Sequence, residues 1–142
     1  MSSASSTPTA TTEVTTGRRF LLVDDSHDFV ETLRLLLELN GHHVEVAFDG
    51  VAGLEAAIRM QPDVVVLDVG LPKLNGYEVC RRIREKHLAT QPVIIGATGW
   101  AQLVDHKLGQ FAGFDAHLVK PFGYEELSVL VESASVRSKQ FE

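Results

Sequence analysis

From Arg18 onward, short apolar runs alternate with stretches of helical period. Phe20-Leu21-Leu22-Val23 is a continuous apolar run, suited to a strand buried on both faces, and it ends in Asp24-Asp25. Phe29, Val30, Leu33, Leu36 and Leu37 then share one helix face, and Asn40-Gly41 supplies the stop. Val44-Glu45-Val46-Ala47 alternates as a strand near a sheet edge does. Asp49 is placed to cap a second helix, with Leu54, Ala57 and Ile58 facing inward. Val64-Val65-Val66-Leu67 is the clearest central strand and ends in Asp68. The turn-rich residues 70–76 lead into a third helix carrying Val79 and Ile83. Val93-Ile94-Ile95 begins a fourth strand that ends in Gly96-Ala97-Thr98. A fourth helix is predicted over residues 102–112. Ala116-His117-Leu118-Val119 is a short fifth strand ending in Lys120-Pro121, and a last helix over about residues 124–135 aligns Leu127, Leu130, Val131 and Ala134.

Five strand-helix repeats predict an α/β fold, a parallel sheet with helices on both faces. Such sheets place their sites beyond the C-terminal strand ends, near the point where strand order reverses. The 142 residues suffice for one domain. The reading is a Ser/Thr-rich tail or linker over residues 1–17, a domain over 18–137 and a short tail over 138–142. The net charge of -6 argues against direct contact with nucleic acid, which needs a basic footprint. Cys80 is the single cysteine, so an internal disulfide is impossible, which fits a reducing cytoplasm. Residues 1–17 lack the apolar run of a signal peptide or membrane span, and no membrane partner is expected. No output domain follows residue 137, so the chain is expected to be a stand-alone relay or a piece of a longer kinase.

Chemistry gathers at the predicted strand ends. The first strand ends in Asp24 and Asp25, the third in Asp68, the fourth in Thr98 and the fifth in Lys120. In a sheet wound 2-1-3-4-5, strands one and three are neighbours, so three carboxylates converge at one edge. Unscreened, they repel and raise each other's pKa. A hard divalent cation relieves that repulsion; Mg²⁺ takes oxygen ligands and commonly binds one or two carboxylates plus phosphate oxygens.

Asp24-Asp25, Asp68, Thr98 and Lys120 in this spacing resemble the response regulator receiver domains. Gly70-Leu71-Pro72, Asn75-Gly76 and Lys120-Pro121-Phe122 extend the resemblance, which covers about residues 18–137. Two fuller strings, residues 68–72 and 112–117, look most like receivers of hybrid histidine kinases. The resemblance implies a doubly wound (βα)5 flavodoxin-like sheet in the order 2-1-3-4-5, in a cytoplasmic bacterial protein that is not an enzyme beyond its own phosphorylation and dephosphorylation. It implies that Asp68 is the nucleophile that takes a phosphoryl group from a histidine kinase or a histidine phosphotransfer protein. Asp25, Asp68 and the Gly70 backbone carbonyl would bind Mg²⁺, or Mn²⁺ in its place, with Asp24 acting through a metal-bound water. Lys120, after a cis Lys-Pro bond, and Thr98 would each meet a phosphoryl oxygen. The output surface, also a possible homodimer face, would be the helix over 102–112, the fifth strand and the last helix.

His117 departs from the family pattern. It stands where receivers often carry an aromatic switch residue, and imidazole can pack like one or charge near neutral pH. Gly70 and Trp100 flank the site with opposing effects on water access, so no lifetime of the phosphorylated state is predicted. The remaining histidines, His42, His43, His87 and His106, lack metal-ligand spacing and read as surface residues, as His27 does despite its nearness to the acidic pair. Arg81, Arg82 and Arg84 read as a solvated helix face, Cys80 as a packed small hydrophobe and Phe122 as core. A hydrolase with an Asp nucleophile would want a second Asp where Gly70 stands, and neither glycine-rich nucleotide motif follows the first strand. The remaining alternative is a phosphorylation-independent interaction module, or a phosphate sink, with the same fold.

Overall fold

The computed structural model describes residues 17–71, 73–86, 90–99 and 113–140. Expectations for residues 1–16, Pro72, His87, Trp100, His106 and the helix over 102–112 lie outside the described residues. Five parallel strands, β1 (Arg19–Val23), β2 (His43–Ala47), β3 (Val64–Asp68), β4 (Val93–Thr98) and β5 (Ala116–Val119), form one sheet in the order β2-β1-β3-β4-β5. The helices are α1 (His27–Leu39), α2 (Gly50–Met60), α3 (Gly76–Glu85) and α4 (Tyr124–Gln140). The alternation predicts the parallel sheet, and the doubly wound, flavodoxin-like order is the one the resemblance implies.

The apolar runs form strands because both sheet faces are covered. Leu21, Val23, Val65, Leu67 and Ile94 pack with α2 and α3, while Phe20, Leu22, Val64, Val66 and Ile95 pack with α1 and α4. All five residues of β3 are buried. β1 pairs with β3 from Phe20↔Val64 to Val23↔Leu67, a register that brings Asp24 beside Asp68.

Local signals set the helix starts. The Asp49 carboxylate accepts the Ala52 N–H at 2.8 Å, and the Asn75 side chain accepts the Glu78 N–H at 3.0 Å. α2 turns further than its apolar pattern suggests. Gly53, Ala56, Ala57 and Met60 face the core, Leu54 is partly buried, and Ile58 is exposed. The small residues let the helix lie against Val23, whose methyl a Cβ on Gly53 would meet at 2.6 Å, and that approach swings Ile58 outward.

Arg84 corrects the reading of a solvated cationic face. Arg81 and Arg82 do pair with their own helix, on Glu78 and Glu85. Arg84 instead leaves it. Its Nε donates to the Gly113 carbonyl at 2.9 Å, one terminal nitrogen donates to the Pro92 carbonyl at 2.7 Å, and the other pairs with Asp115 at 2.8 Å. Asp115 also accepts the Ile94 N–H at 2.8 Å, so one guanidinium ties α3 to the starts of β4 and β5. Arg84→Ala strands these acceptors and is expected to cost about 2 kcal/mol, read as a lower urea midpoint with unchanged slope.

His42 is likewise no simple surface residue. It is half-buried against Phe20, its Nδ1 accepts the Arg18 N–H at 3.2 Å, and its Nε2 lies 3.4 Å from the Tyr124 hydroxyl. It lines a cavity of about 170 Å³ with Leu37, Leu127 and Val131, under α1 and α4. Burial, and then the Arg18 cation, push the imidazole below its usual value. The unfolded chain therefore holds more protons than the folded one between the two pKa values. Stability from neutral His42 is present above the unfolded value of about 6.5 and is lost as pH falls toward the folded value. The urea midpoint is expected to drop between pH 7.5 and pH 5, and His42→Gln to flatten that drop; equal drops in parent and variant would refute this.

Candidate functional site

The site is built by chain direction. Parallel strands bring their C-terminal residues to one end of the sheet, and there β1 hands over to Asp24-Asp25 while β3 closes with Asp68. One carboxylate oxygen from each of Asp24, Asp25 and Asp68 lies within 4.8 Å of the others. Asp24 is 3% exposed and Asp68 7%, whereas Asp25 is open to solvent, so the cluster is a shelf with two covered charges and one accessible charge.

Each covered acid is held by its own backbone and by one lysine. The Ser26 N–H donates to Asp24 at 2.9 Å, and the Gly70 N–H donates to Asp68 at 3.0 Å. Lys120 Nζ donates to the other Asp24 oxygen at 2.9 Å and stands 3.7 Å from Asp68. The Lys120–Pro121 peptide is cis. Burial pushes the Asp68 carboxyl above the usual range. The Gly70 N–H opposes that shift, the Asp24 charge reinforces it, Lys120 opposes it and Asp25 adds to it.

α3 begins against this site. A Cβ on Gly76 would run into the Asp68 carbonyl oxygen and the Val69 Cα, both backbone atoms. The glycine is therefore a requirement of close approach, and the Gly76 N–H fixes it by donating to the Val69 carbonyl at 3.1 Å.

Thr98 ends β4 at 1% exposure, and its hydroxyl has no hydrogen-bond partner among the described residues. His117 sits on β5 opposite Gly96, and a Cβ on Gly96 would meet the imidazole at 2.5 Å. Its ring leans on Phe114, with centroids 4.8 Å apart, and Phe114 in turn meets Tyr77 edge-on at 6.0 Å. The imidazole thus packs as a small aromatic would.

All the strand-end residues singled out from sequence meet at this end of the sheet, apart from His117, whose pair with Gly96 lies two positions before the Thr98↔Val119 pair. Two residues that the sequence reading left out also matter. Phe29, assigned only to the core, lies under Lys120, with Nζ 5.1 Å from its ring centroid. Phe48 is exposed and stacks on His27. Its position between the end of a strand and a helix cap was the only signal available. Phe122 is core, in edge contact with Phe29 at 5.3 Å, and Cys80 is fully buried, its thiol pushed up to about 12 by burial.

A family model for the response regulator receiver domain matches residues 20–132, and the chain belongs to that family. Response regulator MprA of Mycobacterium leprae is 40% identical over 121 residues, covering 85% of this chain and 52% of that protein. A DNA-binding dual master transcriptional regulator, RpaA of Synechocystis, is 34% identical over 115 residues, covering 81% and 48%. The receiver domain of a Pseudomonas aeruginosa sensor histidine kinase superposes with a TM-score of 0.74 at 30% identity, covering 82% of this chain and 96% of that one. That structure has a magnesium ion coordinated in its active-site cleft.

The chain spans about half the length of the curated relatives it matches. Because RpaA is named as DNA-binding, the acidic balance bears only on this stretch and not on what a longer protein would bind. Response regulators and a kinase receiver appear alike among the relatives, so likeness to hybrid-kinase receivers gains no preference. No helix among the described residues is long and apolar enough to cross a membrane. Receiver domains bind Mg²⁺ in an acidic pocket, and the residues here fit that ion. The donors are all oxygen, and a dication would offset both the burial that chiefly raises the Asp68 carboxyl and the smaller repulsion from Asp24 and Asp25.

Proposed function

We propose that Asp68 accepts a phosphoryl group from the phosphohistidine of a partner histidine kinase or histidine phosphotransfer protein, in a Mg²⁺-dependent reaction that switches the domain for signal output. The observation that carries this reading is a triad of carboxylates with one ammonium 2.9 Å from Asp24 and 3.7 Å from Asp68. That arrangement suits a phosphoryl group, which needs a nucleophile and cations at the same point.

A carboxylate oxygen of Asp68 bonds to phosphorus while the P–N bond to the donor imidazole breaks. The imidazole leaves with the bonding pair and takes up a proton, and Asp68 becomes an acyl phosphate. Asp24, Asp25, Asp68 and the Gly70 carbonyl would hold Mg²⁺, whose charge offsets that of the transferring group. The Gly70 N–H fixes which Asp68 oxygen stays bonded to the backbone, leaving the other for attack. Lys120 pairs with a phosphoryl oxygen, exchanging part of its bond to Asp24 for it. The buried Thr98 hydroxyl donates to another oxygen. Movement of Thr98 toward that oxygen biases a two-state equilibrium already present in the free domain. The chain acts as a switch, and the only chemistry it promotes is its own phosphorylation and dephosphorylation.

Incubation with Mg²⁺ and acetyl phosphate tests this directly. A base-labile, acid-stable mass gain of one phosphoryl group is expected. It should vanish with a chelator, return with Mn²⁺ and be absent from Asp68→Asn. No gain with any small donor would favour an interaction module, and a gain that survives in Asp68→Asn would move the acceptor elsewhere.

A further inference from the structure

Asp24 and Asp68 are each anchored by a backbone N–H and by Lys120. Asp25 is different. It is exposed, and nothing among the described residues hydrogen-bonds its carboxylate. Its position in the triad rests on the path of residues 24–27 alone. Repulsion from two fixed carboxylates pushes outward on the one acid that is free to turn to water.

That path is tied at two points to the end of β2, at its last residue and at the residue after it. The Asp24 N–H donates to the Ala47 carbonyl at 3.0 Å. Three residues further on, the His27 imidazole lies flat on the Phe48 ring, with centroids 3.9 Å apart and 9° between the planes. Phe48 is 36% exposed and His27 is exposed, so the contact is not part of either core cluster. The two ties bracket Asp25: one sits on the residue before it, the other two residues after.

We infer that the His27–Phe48 stack is a positioning brace for Asp25, holding the third carboxylate within reach of the other two so that one divalent ion can be gripped. The inference rests on reading the acidic cluster as a Mg²⁺ site. Neither ring touches the ion. Their effect is preorganisation: a ligand set already assembled spends less of its binding energy on ordering a loop. A parallel ring pair contributes modestly, so the loss on removing it is on the order of threefold to tenfold in affinity.

The experiment is calorimetric Mg²⁺ titration of the parent, His27→Ala, Phe48→Ala and His27→Phe, with amide hydrogen exchange of residues 24–28 in metal-free buffer. Both alanine variants should bind Mg²⁺ threefold to tenfold more weakly, exchange faster in that loop before any metal is added, and melt within a few degrees of the parent. His27→Phe keeps a stackable ring and should return affinity to within about twofold of the parent. Unchanged affinity in both alanine variants overturns the brace, as does weakened binding that His27→Phe fails to restore. A parent that does not bind Mg²⁺ at all overturns the metal-site reading itself, which separates that failure from failure of the brace.

Discussion

Asp68→Asn is expected to take up no phosphoryl group and, in Mg²⁺-free buffer, to melt a few degrees above the parent. The two effects share one cause. A carboxylate at 7% exposure beside two other acids is suited to receive a phosphoryl group in the presence of cations and is poorly placed without them. The direction of its titration shows this. Its folded pKa lies above the unfolded value, so stability from protonated Asp68 is present below the unfolded value and is lost as pH rises through the folded one. At neutral pH the ionised group is a net cost. Asparagine keeps the shape and still accepts the Gly70 N–H, but removes the charge. Mg²⁺ should therefore raise the melting temperature of the parent and leave the variant nearly unmoved. Thermal scans with chelator and with Mg²⁺ check both halves, and a variant less stable than the parent in chelator would contradict the account.

Lys120→Ala should act in the opposite direction. Among the described residues, it removes the only ammonium near two covered carboxylates and leaves Asp24, at 3% exposure, with a single N–H partner. Breaking a fully buried pair costs several kcal/mol. The Lys120 side chain is 25% exposed, so screening lowers the expected loss to about 2 kcal/mol. Adding Asp24→Asn should recover most of that loss, because the stranded charge rather than the missing contact is the larger part. Urea titrations of the two single variants and the double variant give the coupling. Additive losses would mean that Lys120 acts through its packing on Phe29 and not through Asp24.

Much of the site was legible in the sequence because parallel sheets collect the C-terminal ends of their strands on one side. Once Val64 to Leu67 reads as a central strand and Phe20 to Val23 as its neighbour, Asp68 and Asp24-Asp25 must lie close together. Division of labour among the three acids was not legible. Nothing in the adjacent pair Asp24-Asp25 says which is covered and which is open. The helix that starts at His27 decides it, by drawing the Ser26 N–H onto Asp24 and leaving Asp25 outside. Histidines and arginines misled for a related reason. His42 and Arg84 look like solvated residues from their neighbours in sequence, yet their partners lie on elements far along the chain, Arg18 and Tyr124 for one, Gly113 and Asp115 for the other.

By itself, then, the sequence determined the α/β alternation, the strand that ends in Asp68 and the kinds of residue at every strand end, since these depend on local period and on chain direction. Tertiary packing alone decided how Lys120 divides between Asp24 and Asp68, which ring lies beneath it, and that His27 finds Phe48. Those are contacts between residues 21 to 96 positions apart. The physical reason is that local periodicity records which face of an element is buried, whereas the pairing of groups across elements depends on a few ångströms of approach, as where Gly76 lies against the Asp68 and Val69 backbone and Gly96 against the His117 ring.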